Sequence, residues 1–296
     1  MKHDTAGDPM SGLRWTRRTT EKIAQELARA GIRVSATTVR RLLKKMGFSL
    51  RVNHKKLAGK SSPGRDQQFR YIARMRNRFT RKNWPTISVD TKKKNNGATS
   101  EQAPRLVSDH DFLTLATGRF IPYGVFDQTT NLASVFAGVT ADTAAFAVES
   151  IEKWWRFTGS RTYPEADHLL ILADGGGSNG NRNRAWKVHL QELLCDRYGL
   201  TVTVCHYPAG TSKWNPVEHR LFSYISKNWV GQPLDSYETA LNYIRTTRTK
   251  TGLRVKAYLV KKEYKTGVKI SNAEMKTLAI RRHKIQPEKN YTLTPR

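Results

Sequence analysis

The sequence predicts an α/β protein: a mixed five-stranded sheet with flanking helices, preceded by a small all-α pair of helices. Three observations carry this. Between residues 86 and 229, short apolar runs alternate with longer stretches of helical period. One of the runs, residues 169–173, is apolar throughout, as a strand covered on both faces is, and it ends in Asp174 and three glycines. Near the N-terminus, two short amphipathic segments are joined by a tight turn that contains glycine.

Taken in order, residues 1–18 are polar and are expected to be poorly ordered. A helix follows from Thr19, with Ile23, Ala24, Leu27 and Ala28 on one face and Gly31 as its stop. Ser35 suits the N-cap of a second helix, whose apolar stripe is Val39, Leu42, Leu43 and Met46 and which Gly47 closes. That helix also carries Thr37, Thr38, Arg40, Arg41, Lys44 and Lys45, which favours a DNA-binding helix-turn-helix over an ordinary αα-hairpin. Residues 49–64 are rich in Ser, Gly and Lys and read as a linker. Residues 67–82 read as a very basic helix with Phe69, Ile72, Ala73, Met75 and Phe79 on its apolar side.

The centre then alternates. Residues 86–91 read as a strand and 92–112 as an irregular polar insertion. Residues 119–127 and 132–140 make a hairpin around the turn 128–131. A helix over 142–157, the strand ending at Asp174, a helix over 181–198, a strand over 201–206 and a helix over 215–229 complete the pattern. The order β-β-β-α-β-α-β-α is that of a ribonuclease-H-like sheet. Residues 235–250 read as helical, and the chain after Gly252 as a basic tail with little periodicity. The expected organisation is therefore a helix-turn-helix region over 1–60, a basic linker helix over 61–84, a catalytic domain over 85–250 and a basic tail over 251–296.

Charge narrows the function. Fifty-two Lys and Arg against 24 Asp and Glu give +28, with a pI near 10.4 and a mean hydropathy of −0.62. Residues 1–82 hold 22 basic and 5 acidic side chains and residues 219–296 hold 17 and 5, whereas residues 83–218 hold 13 and 14. A near-neutral centre between two cationic ends points to a polyanion held around a carboxylate-bearing middle. Cys195 and Cys205 lack the spacing of a zinc site and read as buried, reduced thiols of a cytoplasmic protein. No apolar run approaches the ~18 residues of a membrane span, so no membrane partner is expected.

A phosphodiester-cleaving site needs charge neutralisation and an in-line nucleophile, which two Mg²⁺ (or Mn²⁺) ions on two or three carboxylates provide. Three acids fit. Asp90 lies inside the apolar strand Ile87-Ser88-Val89-Asp90-Thr91, where a carboxylate is costly unless it is paired or binds metal; metal is favoured over a salt bridge to Lys92, Lys93 or Lys94, because neighbouring strands in this topology would bring Asp90 next to Asp174. Asp174 sits at the carboxyl end of a buried strand, where open α/β sheets place their ligands. Glu218 falls at the third helical position after Asn215-Pro216, where it serves equally well as a metal ligand or as the acid of a capping box. Lys213, Trp214 and Asn215 just before it are placed to touch DNA backbone or a flipped base, with helix entry and core packing an equal alternative for Trp214. Lys92 beside Asp90 is a further candidate for DNA contact.

With these residues in place, the chain resembles the Rhodopirellula-type DDE transposases of bacterial insertion sequences. The likeness rests on Gly7-Asp8-Pro9-Met10-Ser11 with Leu13-Arg14-Trp15, on Ile87-Ser88-Val89-Asp90-Thr91-Lys92-Lys93-Lys94, on Ile121-Pro122-Tyr123-Gly124-Val125, and on Ala147-Val148-Glu149-Ser150-Ile151 with Trp154-Trp155. It continues through Ala173-Asp174-Gly175-Gly176-Gly177-Ser178-Asn179-Gly180, Gly210-Thr211-Ser212-Lys213-Trp214-Asn215 and Glu218-His219-Arg220-Leu221-Phe222-Ser223. The resemblance puts the acidic triad on Asp90, Asp174 and Glu218, spaced by 84 and 44 residues. It implies a ribonuclease-H-like core and two divalent ions per active site. It also implies cleavage of double-stranded DNA at element ends and joining to target DNA, by a homodimer in the bacterial cytoplasm at the nucleoid. Members of the family begin well before the Gly-Asp-Pro-Met stretch, so a shortened N-terminus is expected, and residues 95–105 depart from the pattern. Two rivals stand beside this reading: a metal-dependent nuclease without strand transfer, and a non-catalytic DNA-binding relic of a transposase.

Overall fold

The computed structural model describes residues 5–7, 14–16, 20–49, 64–92, 119–229, 234 and 236–296. The chain divides into two compact units, Met1–Lys60 and Ser61–Arg296. Most of the expected linker (49–64) and most of the polar insertion (92–112) lie outside the described residues.

In the first unit, β1 (Thr5–Gly7) pairs antiparallel with β2 (Arg14–Thr16). Helices α1 (Thr20–Arg29) and α2 (Ala36–Lys45) follow, and β3 (Phe48–Ser49) pairs in parallel with β2. The unit is therefore not all-α, and parts of residues 1–18 are strand. Backbone pairing of this kind leaves no apolar period in a polar stretch. Ser35 caps α2 as expected, its hydroxyl accepting from the Thr38 amide at 3.1 Å. Ile23, Val39, Leu43 and Phe48 form the core. Leu42 and Met46, expected in the apolar stripe, are 45% and 56% exposed, because Phe48 of β3 joins Val39 and Leu43 in that core.

The second unit opens with α3 (Gly64–Arg81) and β4 (Thr86–Thr91). The hairpin is β5 (Ile121–Asp127) and β6 (Leu132–Gly138). Helix α4 (Ala144–Trp154) runs through a π-helical turn into α5 (Ser160–Thr162). Then come β7 (His168–Ala173), α6 (Arg184–Leu190) with a π-helical extension to Asp196, and β8 (Thr201–His206). A π-helical turn, Glu218–Phe222, leads into α7 (Ser223–Asn228), and α8 (Tyr237–Arg245) packs beside it. The chain ends with β9 (Arg254–Val260), α9 (Asn272–Lys276), β10 (Ile280–Arg282) and β11 (Asn290–Leu293).

The sheet has eight strands in the order β10-β11-β8-β7-β4-β5-β6-β9. Its five central strands, β8-β7-β4-β5-β6, are the five expected from the sequence. The other three come from the stretch expected as a tail. β9 adds in parallel to β6, and β11 adds antiparallel to β8. Residues 251–296 are thus a sheet-forming part of the fold, not a tail. Their signal is weak because β9 is an edge strand whose buried Val255 and Ala257 alternate with exposed Arg254 and Lys256. The expected linker helix is also part of this unit: Tyr71, Ile72, Met75 and Phe79 of α3 pack on Leu170, Leu172 and Cys205 of the sheet.

One face of the sheet is covered by α4 and α6 through Phe146, Ile151, Trp154, Trp186 and Leu190. On the other face, α3 covers β7 and β8, while the π-turn, α7 and α8 cover β5, β6 and β9 through Val217, Leu221, Phe222, Ile225, Leu241 and Ile244. Cys195 and Cys205 are buried and unpaired, and burial pushes both thiols up. Among the described residues no helix is long and apolar enough to cross a membrane.

Leu293, in the last strand, is fully buried in the main core. Leu293→Ala should destabilise the chain by about 2–5 kcal/mol in urea unfolding; a change near zero would mean that the C-terminal strands do not belong to the folded sheet.

Candidate active site

The pairing of β4 with β7 places the first two acids. These strands run parallel with Val89 beside Ala173, so the next residues, Asp90 and Asp174, are neighbours at the carboxyl edge of the sheet, where adjacent strands lie about 4.8 Å apart. Strand alternation puts Ser88 and Asp90 on the face opposite Ile87 and Val89. On that face they lie between the layer made by α3 and the layer made by α7 and α8.

Ser88 and Asn215 bring in the third acid. The Ser88 hydroxyl accepts from the Val217 amide at 2.9 Å and donates to the Asn215 side-chain oxygen. The Asn215 amide donates to the Val89 carbonyl at 3.1 Å and to Asp174 Oδ1 at 3.0 Å. A serine from a central strand thus satisfies an amide at the start of the helix that carries Glu218. No capping box forms there, which leaves Glu218 to turn toward Asp90. Gly124 of β5, the register partner of Asp90, makes room for this helix. A Cβ on Gly124 would lie 2.8 Å from the Phe222 ring and 3.0 Å from Leu221 Cδ2, so any side chain would push the Glu218 turn away.

Electrostatics record the convergence. The Asp90 carboxyl is pushed up to about 8, first by burial, then by the negative charges of Asp174 and Glu218. A hydrogen bond with Glu218 adds to this, and the Thr91 amide, donating to Asp90 Oδ1 at 2.8 Å, opposes it. Three carboxylates around one point have the chemistry of a hard divalent cation site. Among the described residues, however, no group of three or more His, Cys, Asp or Glu side chains is preset in ligand geometry. Asp174 is tethered by Asn215, and Asp90 and Glu218 share a hydrogen bond that a cation would replace.

The loop after Asp174 is also fixed. Gly177 has a φ of +68°, a conformation that favours glycine. Tyr123 donates to the Asn179 side-chain oxygen at 2.8 Å, and His206 Nε2 lies 2.8 Å from the Asn179 carbonyl. His206 Nδ1 lies 3.1 Å from the Lys289 carbonyl, and burial pushes this imidazole down to about 4.

The remaining candidates divide. Asn215 is fully buried, so it positions Asp174 instead of touching DNA. Lys92 is also buried: its ammonium donates to Ser226 at 2.7 Å and lies over the Phe222 and Trp229 rings, and burial pushes its pKa down. It too faces the interior, because Thr91 ends the strand and Lys92 turns under the Glu218 helix. Lys213 and Trp214 are exposed, Trp214 by 53%, with its ring edge-on to Phe69 at 6.2 Å and Lys213 Nζ 5.4 Å from it. In the first unit, Thr37, Arg40, Arg41, Lys44 and Lys45 are exposed, whereas the Thr38 hydroxyl meets Ser35 at 3.0 Å and belongs to the cap. Sequence reasoning missed Ser88 and Gly124. The signal for Ser88 was its i, i−2 spacing from Asp90 in a strand; Gly124 gave none.

The family described as the Rhodopirellula transposase DDE domain matches residues 1–295. The chain belongs to this transposase family. No curated protein matches it in sequence. Among solved structures, the mariner Mos1 paired-end complex with Mg is 18% identical and aligns over 77% of this chain and 65% of that one, with a TM-score of 0.45. The Mos1 paired-end complex with the left transposon end gives 18%, 77%, 65% and 0.43. The chain thus spans just under two thirds of the length of these Mos1 structures.

For this transposase-family chain, the raised Asp90 carboxyl fixes a sign. The folded state holds the Asp90 proton more tightly than the unfolded state, so metal-free stability is lost as pH rises from about 4 to about 8 and not beyond. Thermal unfolding in chelator should show this slope, and Asp90→Asn should flatten it and melt higher than wild type at pH 8. An unchanged slope in the variant would mean that the three acids do not repel one another.

Proposed function

We propose that the protein is a DNA transposase that cuts insertion-sequence ends and joins them to target DNA, with Asp90, Asp174 and Glu218 as catalytic residues and metal ligands. The observation that carries this reading is the meeting of three acids from β4, β7 and the helix start after β8 at one sheet edge, in a chain of net charge +28. Bound there, two Mg²⁺ or Mn²⁺ ions would activate the attacking oxygen, first of water and then of a 3′-hydroxyl, and stabilise the leaving oxygen.

The chain's own residues prepare that chemistry. Asp90 and Asp174 sit on adjacent strands and, together with Glu218, would hold the ions. Asn215 donates to Asp174 Oδ1 and so orients that carboxylate. Ser88 ties the start of the Glu218 helix to the same strand as Asp90. The glycines after Asp174 keep side chains out of the approach to it. Exposed Lys213 and Trp214 lie beside the acids, where a DNA strand would pass. The cationic outer face of α2, with Thr37, Arg40, Arg41, Lys44 and Lys45, is the candidate for reading element-end duplex. A homodimer on DNA would hold two ends together.

The test mixes the full chain with DNA that carries the flanking terminal repeats, Mg²⁺ and a target plasmid. Nicked ends followed by joined products are expected. Asp90→Asn, Asp174→Asn and Glu218→Gln should each lower both steps roughly a thousandfold or more. Unchanged processing by Asp174→Asn would sink the enzymatic reading. Nicking without joined products would favour a nuclease, and salt-dependent binding alone a DNA-binding relic.

A further inference from the structure

Helix α3 carries a second, unassigned feature. Its apolar side, Ile72, Met75 and Phe79, lies on the sheet. Its opposite side carries Arg70, Arg74, Arg78 and Arg81, all exposed, which at 100° per residue form one stripe. Arg281 of β10 is close to the stripe: it and Arg78 both act on Tyr71 and on His283, whose hydroxyl and Nδ1 are 2.5 Å apart. Among the described residues, none of these five guanidinium groups is in an ion pair; the arginines that are paired lie elsewhere. Arg70 and Arg74 also line a cleft of about 380 Å³ between α3 and Ile285, with Tyr71 in its wall and the Arg74 guanidinium 5.1 Å from the Tyr71 ring centre. Like charges at i, i+4 destabilise a helix. A repeating row of them, with the one helix carboxylate, Asp66, at its N-terminal end in the same cleft and in no ion pair with them among the described residues, is the footprint of an external polyanion.

The direction of the stripe identifies the part of that polyanion. The N-terminal end of α3 lies at the catalytic edge of the sheet, where Gln68 donates to the His206 carbonyl at 2.8 Å and Phe69 meets Trp214. The C-terminal end lies at the opposite edge, where Phe79 meets Trp84 and Trp84 stacks on His168 at 3.8 Å. Arg70 to Arg81 spans about 16 Å along the axis, the length of about five phosphates of one strand in duplex DNA.

We infer that the arginine stripe of α3, with Arg281, is a sequence-independent binding track for the phosphate backbone of duplex DNA that leads away from the catalytic acids. The track rests on the transposase reading for which DNA it holds, but its binding is measured apart from catalysis. The test is performed in the Asp174→Asn chain with a random-sequence duplex, by fluorescence anisotropy against salt. The variant Arg70→Ala/Arg74→Ala/Arg78→Ala should lower the slope of log K against log salt by about 2.7, and binding at 0.1 M salt by about a hundredfold or more. The control Arg254→Ala/Lys256→Ala/Lys261→Ala removes equal charge at the far edge strand and its flank, and should change the slope by less than about one. Asn77→Cys, on the stripe, should capture a duplex with a backbone-tethered mixed disulfide, while Lys256→Cys should not; this holds even if the triple variant folds poorly. An unchanged slope, equal loss in both triple variants, or equal capture by both cysteines would overturn the track. Failure of the track leaves end cutting and joining untouched, while failure of cutting in the unmutated chain leaves the slope measurement intact.

Discussion

The site depends on one buried amide. Asn215 is shielded from water and bonded at once to Ser88, to the Val89 carbonyl and to Asp174. Two strands and a helix start, 127 residues apart along the chain at the Ser88–Asn215 bond, are joined there through one side chain. A buried hydrogen-bonded group is costly to leave unpaired. The same satisfied network therefore fixes the geometry of Asp90, Asp174 and Glu218 together. Gly124 supplies the steric half of the arrangement by letting Phe222 lie against β5.

The fold works against a strong repulsion. Burial already disfavours a charged Asp90, and two more carboxylates raise its proton affinity further. Such a cluster is unfavourable for the metal-free chain and favourable for one that recruits a doubly charged ion, since that ion replaces the shared proton. The surrounding framework carries the strain: apolar layers lie on both faces of the central strands, and β9 and β11 cap the edges of the five-stranded core.

Much of this was legible in the residues. Strands β4 and β8 have the predicted bounds and β7 agrees to within one residue, because β7 is a short apolar run and β4 and β8 alternate apolar with polar residues at strand period. The β5–β6 hairpin was legible from its turn, where Asn131 takes a positive φ. What escaped was structure whose pattern depends on a neighbour. β9 reads as a charged stretch until β6 lies beside it, and β1 to β3 are stabilised by backbone pairing in polar sequence. Leu42 and Met46 fit a helical stripe, yet the α2 core is built on Val39 and Leu43 with Phe48 from outside the helix.

By itself, the sequence determined the α/β class, the five central strands, the cationic ends and the three acids, since each is written in local period, charge or residue type. Only the tertiary structure decided how those residues are used. It turned Asn215 and Lys92 inward, left Trp214 outside, and chose against a capping box for Glu218. The reason is that a side chain's role at a helix start depends on which other group reaches the free amides first. Here that group is Ser88, which parallel pairing with β7 and close packing against Gly124 place at the right depth. No local pattern encodes that distance.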